Sequence, residues 1–282
     1  MKVFVSCDME GVAGVVDWAQ CRTDGGAAYE LGCRLMLGEV NAAIKGACEV
    51  GATDVVVNDS HGAMANLDPE RLAAPASYIS GRHKPGYMMA GLDETFDAVF
   101  FVGYHGSISG ESSVLSHTYN PDVISGVRLG GEYVGESGIN LLVANGYRVP
   151  LALVTGDAQT LAEVGKLAPD VVGVQVKSSL TRFAAHSLHP QDARARIGDG
   201  ARTALERVRA GTIAPPSVPE DPSLEVELQT ADMAAVAAWL RGVERIGTRT
   251  VRVTGEGTAP ESVAVYDAFV ALTYITRQAG GR

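Results

Sequence analysis

The sequence predicts an α/β fold: a mostly parallel sheet covered by helices, with a smaller C-terminal α/β domain. Three observations predict it. Short valine-rich runs, among them Val3-Phe4-Val5 and residues 53–58, 96–104 and 149–155, alternate with stretches of helical periodicity. The runs are nearly continuous in apolar residues, as strands covered on both faces are. They also end in carboxylates or imidazoles, and in open α/β sheets ligands gather beyond the carboxyl ends of the strands.

The elements follow in order. After the first strand, residues 11–26 are small and polar and read as a loop. From 27 to 50, Leu31, Leu35, Met36, Val40, Ala43, Ile44 and Ala47 recur at helical spacing, and Gly51 stands where a C-terminal cap belongs. Residues 53–58 form the second strand, 76–79 a short third, and 81–86 a loop. Residues 96–104 form a buried strand ending before His105, and 106–113 a flexible loop. Gly130-Gly131 joins a hairpin of residues 123–129 and 132–134. A helix at 135–145, a strand at 149–155, a helix at 158–167 and a strand at 171–176 complete this half.

After Lys177 the character changes. A helix at 191–209, a proline-rich connector at 213–222, a strand at 224–228, a helix at 231–240, a strand at 248–253 and a helix at 262–276 follow. At 282 residues, one large and one smaller domain is the natural division. It is drawn at 1–178, a metal-binding catalytic domain, and 179–282, a smaller α/β domain.

Composition excludes some functions. Lys+Arg of 23 against Asp+Glu of 33 gives a net charge of −10, which argues against nucleic acid as a partner. The four cysteines, Cys7, Cys21, Cys33 and Cys48, show no Cys-x-x-Cys pair and read as reduced thiols. Asp8 and Glu10 interrupt any signal-type apolar segment, and no apolar run approaches ~20 residues. A cytoplasmic protein with no membrane partner is expected.

The stretch Ser6-Cys7-Asp8-Met9-Glu10-Gly11 carries the chemistry. In an extended backbone Asp8 and Glu10 project to one face, and adjacent carboxylates repel unless a cation or a shared proton compensates them. Successive strands end in Asp8/Glu10, Asp59/His61, His105 and Asp157. Each alone has an ordinary reading as a cap, a turn residue or a core histidine. Together they form the donor set a zinc or manganese site requires. Glu136, in the first turn of its helix, shares a face with Ile139, Asn140 and Val143 and would point inward with them, although taken alone it reads better as a favourable charge at a helix N-terminus. Asp157 reads better as an N-cap than as a ligand. Cys7, on the opposite face of its strand, is not expected to be a nucleophile.

These residues resemble a known family. Ser6-x-Asp8-x-Glu10-Gly11, Asn58-Asp59-Ser60-His61, Gly103-Tyr104-His105, Ser116-His117 and Val134-Gly135-Glu136 are similar, in order, to the motifs of the binuclear zinc D-aminopeptidases. Gly81, Lys84-Pro85 and Gly91-Leu92-Asp93 extend the likeness over nearly the whole chain. The resemblance implies ligands Asp8, Glu10, His61, His105 and Glu136 for two zinc ions, with Asp8 bridging and manganese or cobalt as substitutes. It implies His117 as a catalytic residue for proton transfer or charge stabilisation, although the His105–His117 spacing is longer through residues 107–111. It further implies hydrolysis of short peptides or amino-acid amides by a zinc-activated water, preference for D-residues, and a closed homo-oligomer such as a decamer. Two other readings stand beside it. One is a metal-dependent phosphoester hydrolase, for which Arg82, Lys84 and Arg128 are available cations. The other is a metal-dependent peptide-binding protein without turnover.

Overall fold

The computed structural model describes residues 1–279. In chain order the elements are β1 (Lys2–Cys7), α1 (Ala27–Glu49), β2 (Asp54–Asp59), β3 (Ser77–Ile79), β4 (Ala98–Tyr104), β5 (Ile124–Leu129), β6 (Glu132–Tyr133), α2 (Glu136–Gly146), β7 (Leu151–Asp157) and α3 (Ala158–Leu167). They continue with β8 (Val172–Thr181), β9 (Ala184–Ser187), α4 (Pro190–Arg209), β10 (Leu224–Leu228), α5 (Ala231–Ala237), β11 (Val243–Arg245), β12 (Thr250–Val253) and α6 (Glu261–Ala279).

Seven strands form the main sheet in the order β3-β2-β1-β4-β7-β8-β9, parallel except for the β8–β9 hairpin. From β1 the chain leaves one way to β2 and the other way to β4. This is a topological switch point, where a crevice opens above the strand ends. Alternation along β1 divides the core: Val3, Val5 and Cys7 pack toward α1 and α4, while Phe4 packs on the opposite side. That opposite side is closed by α2, which lies between the main sheet and α6.

A second sheet, β11-β12-β10-β5-β6, is antiparallel and smaller. It takes β5 and β6 from before residue 178 and three strands from after it, whereas α4 packs on α1 of the main sheet. Chain order and sheet membership therefore do not divide at the same place. Beyond residue 176 the structure also differs from the sequence expectation, because β8 runs to Thr181 and turns back as β9. That hairpin packs against the segment at 114–116. Two of its bonds, Leu115 N–H to the Arg182 carbonyl (2.8 Å) and Val114 N–H to Ser179 Oγ (2.9 Å), hold the segment before His117.

Candidate metal centre

β1 ends at Cys7, and residues 9–11 turn instead of continuing extended. Asp8 and Glu10 therefore share a face because of a turn, not because of strand alternation. The turn is pinned to β4 by Asp8 N–H to Val102 O and Gly11 N–H to Gly103 O, both 2.8 Å. Two glycines permit that approach. A Cβ on Gly11 would lie 1.8 Å from the Tyr104 carbonyl oxygen, and one on Gly103 (φ +76°) 2.3 Å from the Asp8 carbonyl oxygen.

The structure brings all six sequence-predicted side chains into one buried cluster. His61 Nδ1 lies 3.1 Å from Asp8 Oδ1 and 3.0 Å from Glu10 Oε2. His105 Nε2 lies 3.4 Å from Asp8 Oδ2 and 3.6 Å from Glu136 Oε1, and His117 Nε2 lies 3.3 Å from the same Glu136 oxygen. The His105 and His117 rings stack at 4.3 Å. Asp8 thus faces both histidines, one from the β2 end and one from the β4 end.

Each imidazole is oriented by a carbonyl behind it. His61 Nε2 lies 2.7 Å from Cys21 O, His105 Nδ1 2.9 Å from Gly106 O and His117 Nδ1 2.9 Å from Leu115 O. With those nitrogens donating, the other nitrogen of each ring turns a lone pair into the cluster, which is how metal-ligating histidines are held. Asp8 Oδ2, Glu10 Oε2 and His105 Nε2 are buried without a hydrogen-bond partner. Buried lone pairs facing buried carboxylates are costly. A divalent cation would remove that cost, so the donor set fits zinc. Three groupings meet ligand spacing: Asp8-Glu10-His105, His105-His117-Glu136 and Glu10-Cys21-His61.

The electrostatics show the same strain. Burial and then the Glu10 carboxylate raise Asp8 to about 7. Burial opposes ionisation of Glu10 and Glu136 too, yet the histidines prevail and hold both low. His105, despite burial, is raised to about 10 by Glu136 and Asp8, while burial and His105 push His117 down.

The surroundings are equally built. Asp157 N-caps α3 through Thr160 N–H (2.9 Å), as the sequence suggests, and also accepts from Ser113 and Ser179 (2.6 Å each). Asp59 stays out of the cluster and instead accepts from Asn66 and Leu67 N–H, shaping the loop after His61. The Lys177 ammonium, buried, donates to the carbonyls of Glu10 (2.5 Å), Val12 (3.1 Å) and Val15 (2.8 Å). Of the cations considered for a phosphate substrate, Lys84 is spent on Asn58 Oδ1 and Asp59 O. Arg128 lies against Glu227 and the Tyr133 ring, and of these three cations Arg82 alone lines the crevice.

Above the cluster is a cavity of about 780 Å³. Sequence reasoning missed several of its lining residues: Trp18 and Cys21 from the loop after β1, Tyr87 and Tyr119, and Tyr274 and Arg277 from α6. Trp18 meets His117 edge to face at 5.4 Å, and Tyr119 N–H donates to Glu136 (2.7 Å). Nothing in local periodicity marks these residues.

A family model described as D-aminopeptidase matches residues 1–267. The chain belongs to the D-aminopeptidase family. Within it, the D-aminopeptidase of Bacillus subtilis (strain 168) is 36% identical over 278 residues, covering 97% of each chain. Its family likeness extends to structure. The Zn-dependent D-aminopeptidase DppA from Bacillus subtilis, a self-compartmentalizing protease, superposes with a TM-score of 0.90 at 33% identity, over 99% of this chain and 98% of that one.

Proposed function

We propose that the protein is a zinc-dependent D-aminopeptidase that releases the N-terminal residue of short peptides. The observation that carries this reading is the buried cluster of three carboxylates and three histidines with unpartnered oxygens and nitrogen aimed at one another. Asp8, Glu10 and His61 would hold one ion and Asp8, His105 and Glu136 the other. Zinc bound there supplies Lewis acidity to the scissile carbonyl and to water.

The chain's own residues do the rest. Cys21 O, Gly106 O and Leu115 O fix the three rings, so the donor atoms need no reorganisation. His117 lines the cavity whereas His105 lies beneath it, and Trp18 walls its ring on the open side. Its Nε2 faces the Glu136 side of the cluster with a lone pair, so it takes up a proton from the attacking water and passes that proton to the leaving amine. The relative's description as self-compartmentalizing supports a closed homo-oligomer for this chain as well. Among the described residues no helix is long and apolar enough to cross a membrane, and a cytoplasmic site of action accords with the free cysteines.

The test is to load the protein with zinc and compare D-Ala-D-Ala with L-Ala-L-Ala. Turnover of the D-substrate, lost on chelation, is expected. Replacing His117 by Ala should lower kcat by about 10²–10⁴-fold with zinc content unchanged; full activity in that variant would remove its catalytic role.

A further inference from the structure

We propose that Arg82 and Arg277 form a clamp for the substrate's C-terminal carboxylate, which makes short peptides with a free C terminus the preferred substrates. The inference rests on the peptidase reading above and adds the group at the far end of the substrate.

The floor of the cavity is anionic, with Asp8, Glu10 and Glu136, in a chain of net charge −10. Three arginines nonetheless line its walls. Arg22 is engaged over the Trp18 ring at 5.4 Å. Arg82 and Arg277 are different: both are exposed, and among the described residues neither side chain has a hydrogen bond, an ion pair or a ring contact. A guanidinium stays charged at any physiological pH and presents a planar fork suited to a carboxylate.

The two converge on one end of the cavity. Arg277 lies one helical turn beyond Thr273 and Tyr274, which also line it. Arg82 is close enough to Tyr274, and Arg277 to Tyr87, to act on those phenols, and the Tyr87 and Tyr274 rings meet edge to face at 5.8 Å. Tyr87 also stacks on Tyr119 at 5.5 Å, and Tyr119 N–H holds Glu136. An aromatic wall therefore runs from the cluster to the arginine pair. A peptide cleaved at the cluster would lay its leaving residues along this wall and end at the guanidiniums. A blocked or long substrate brings no carboxylate there.

The experiment compares D-Ala-D-Ala with D-Ala-D-Ala amide on the zinc-loaded protein and on Arg82→Met, Arg277→Met and the double variant. Charged hydrogen bonds of this kind predict a preference for the free acid of at least about tenfold in kcat/KM. In each single variant that preference should shrink through a higher KM for the acid, with kcat for it within about twofold. In the double variant it should fall to about one. Equal use of acid and amide by the unsubstituted protein, a preference that survives in the double variant, or an equal KM rise for both compounds would overturn the clamp. Turnover of neither compound would overturn the peptidase reading itself, and the clamp with it.

Discussion

At the scale of single residues, the centre depends as much on what is missing as on what is present. Asp8 and His105 come from adjacent strands, and they meet because Gly11 and Gly103 let two backbone segments touch. Replacing Gly103 by Ala puts a Cβ 2.3 Å from the Asp8 carbonyl oxygen at a φ of +76°. Overlap and strain together should cost more than about 2 kcal/mol. The substitution should lower Tm and shrink the stabilisation that added zinc confers, as read by thermal melts with and without metal. Leu115 (φ +53°) and Tyr119 (φ +59°) flank His117 in the left-handed region, unusual for such side chains. They place its ring between Trp18 and His105, which the sequence motif Ser116-His117 does not convey.

At the scale of elements, the turn after β1 is gripped from both sides. Lys177 from β8 gathers three of its carbonyls, and Glu39 from α1 accepts from Ala13 N–H at 2.9 Å. Glu39 Oε2 is buried without a partner, and burial raises this carboxyl from 4.5 to about 7. Because the folded value lies above the unfolded one, the group favours the fold fully below about pH 4.5. That contribution is lost as pH rises toward 7. Glu39→Gln keeps an acceptor for Ala13 without the charge. Chemical denaturation should find the variant equal to the parent near pH 4.5 and more stable at pH 8, by a margin on the order of 3 kcal/mol.

At the scale of the whole molecule, the crevice sits at the switch point of the main sheet and is walled by elements distant in sequence. The loop after β1 forms one side, the Tyr87 and Tyr119 segments another, and α6 closes the far end. Folding therefore buries three carboxylates and three imidazoles together, and metal binding and stability should be coupled. Chelation is expected to lower Tm, and zinc at a hundredfold over its Kd should add about 2.7 kcal/mol for each ion bound. Because His61 and His105 must deprotonate to bind metal, uptake should release protons. Calorimetric titrations in buffers of different ionisation enthalpy measure that release; an enthalpy independent of buffer would count against the histidine ligands.

Most of the architecture was legible in the chain. Strands buried on both faces are written as continuous apolar runs, and helix α1 as a regular stripe ending in Gly51, because these signals are local consequences of burial and backbone geometry. The candidate ligands were legible for a related reason: an α/β sheet delivers its strand ends to one edge, so Asp8, His61 and His105 had to meet if β2, β1 and β4 were neighbours. Only the tertiary structure decided what covers that edge. The reach of β8 and β9 over the His117 segment, the buried grip of Lys177, and the arrival of Tyr274 and Arg277 from the C-terminal helix are set by long-range packing. A cation buried beneath a turn and an arginine poised over a cavity look alike in sequence, since both are single charges whose meaning lies in the partners that folding provides.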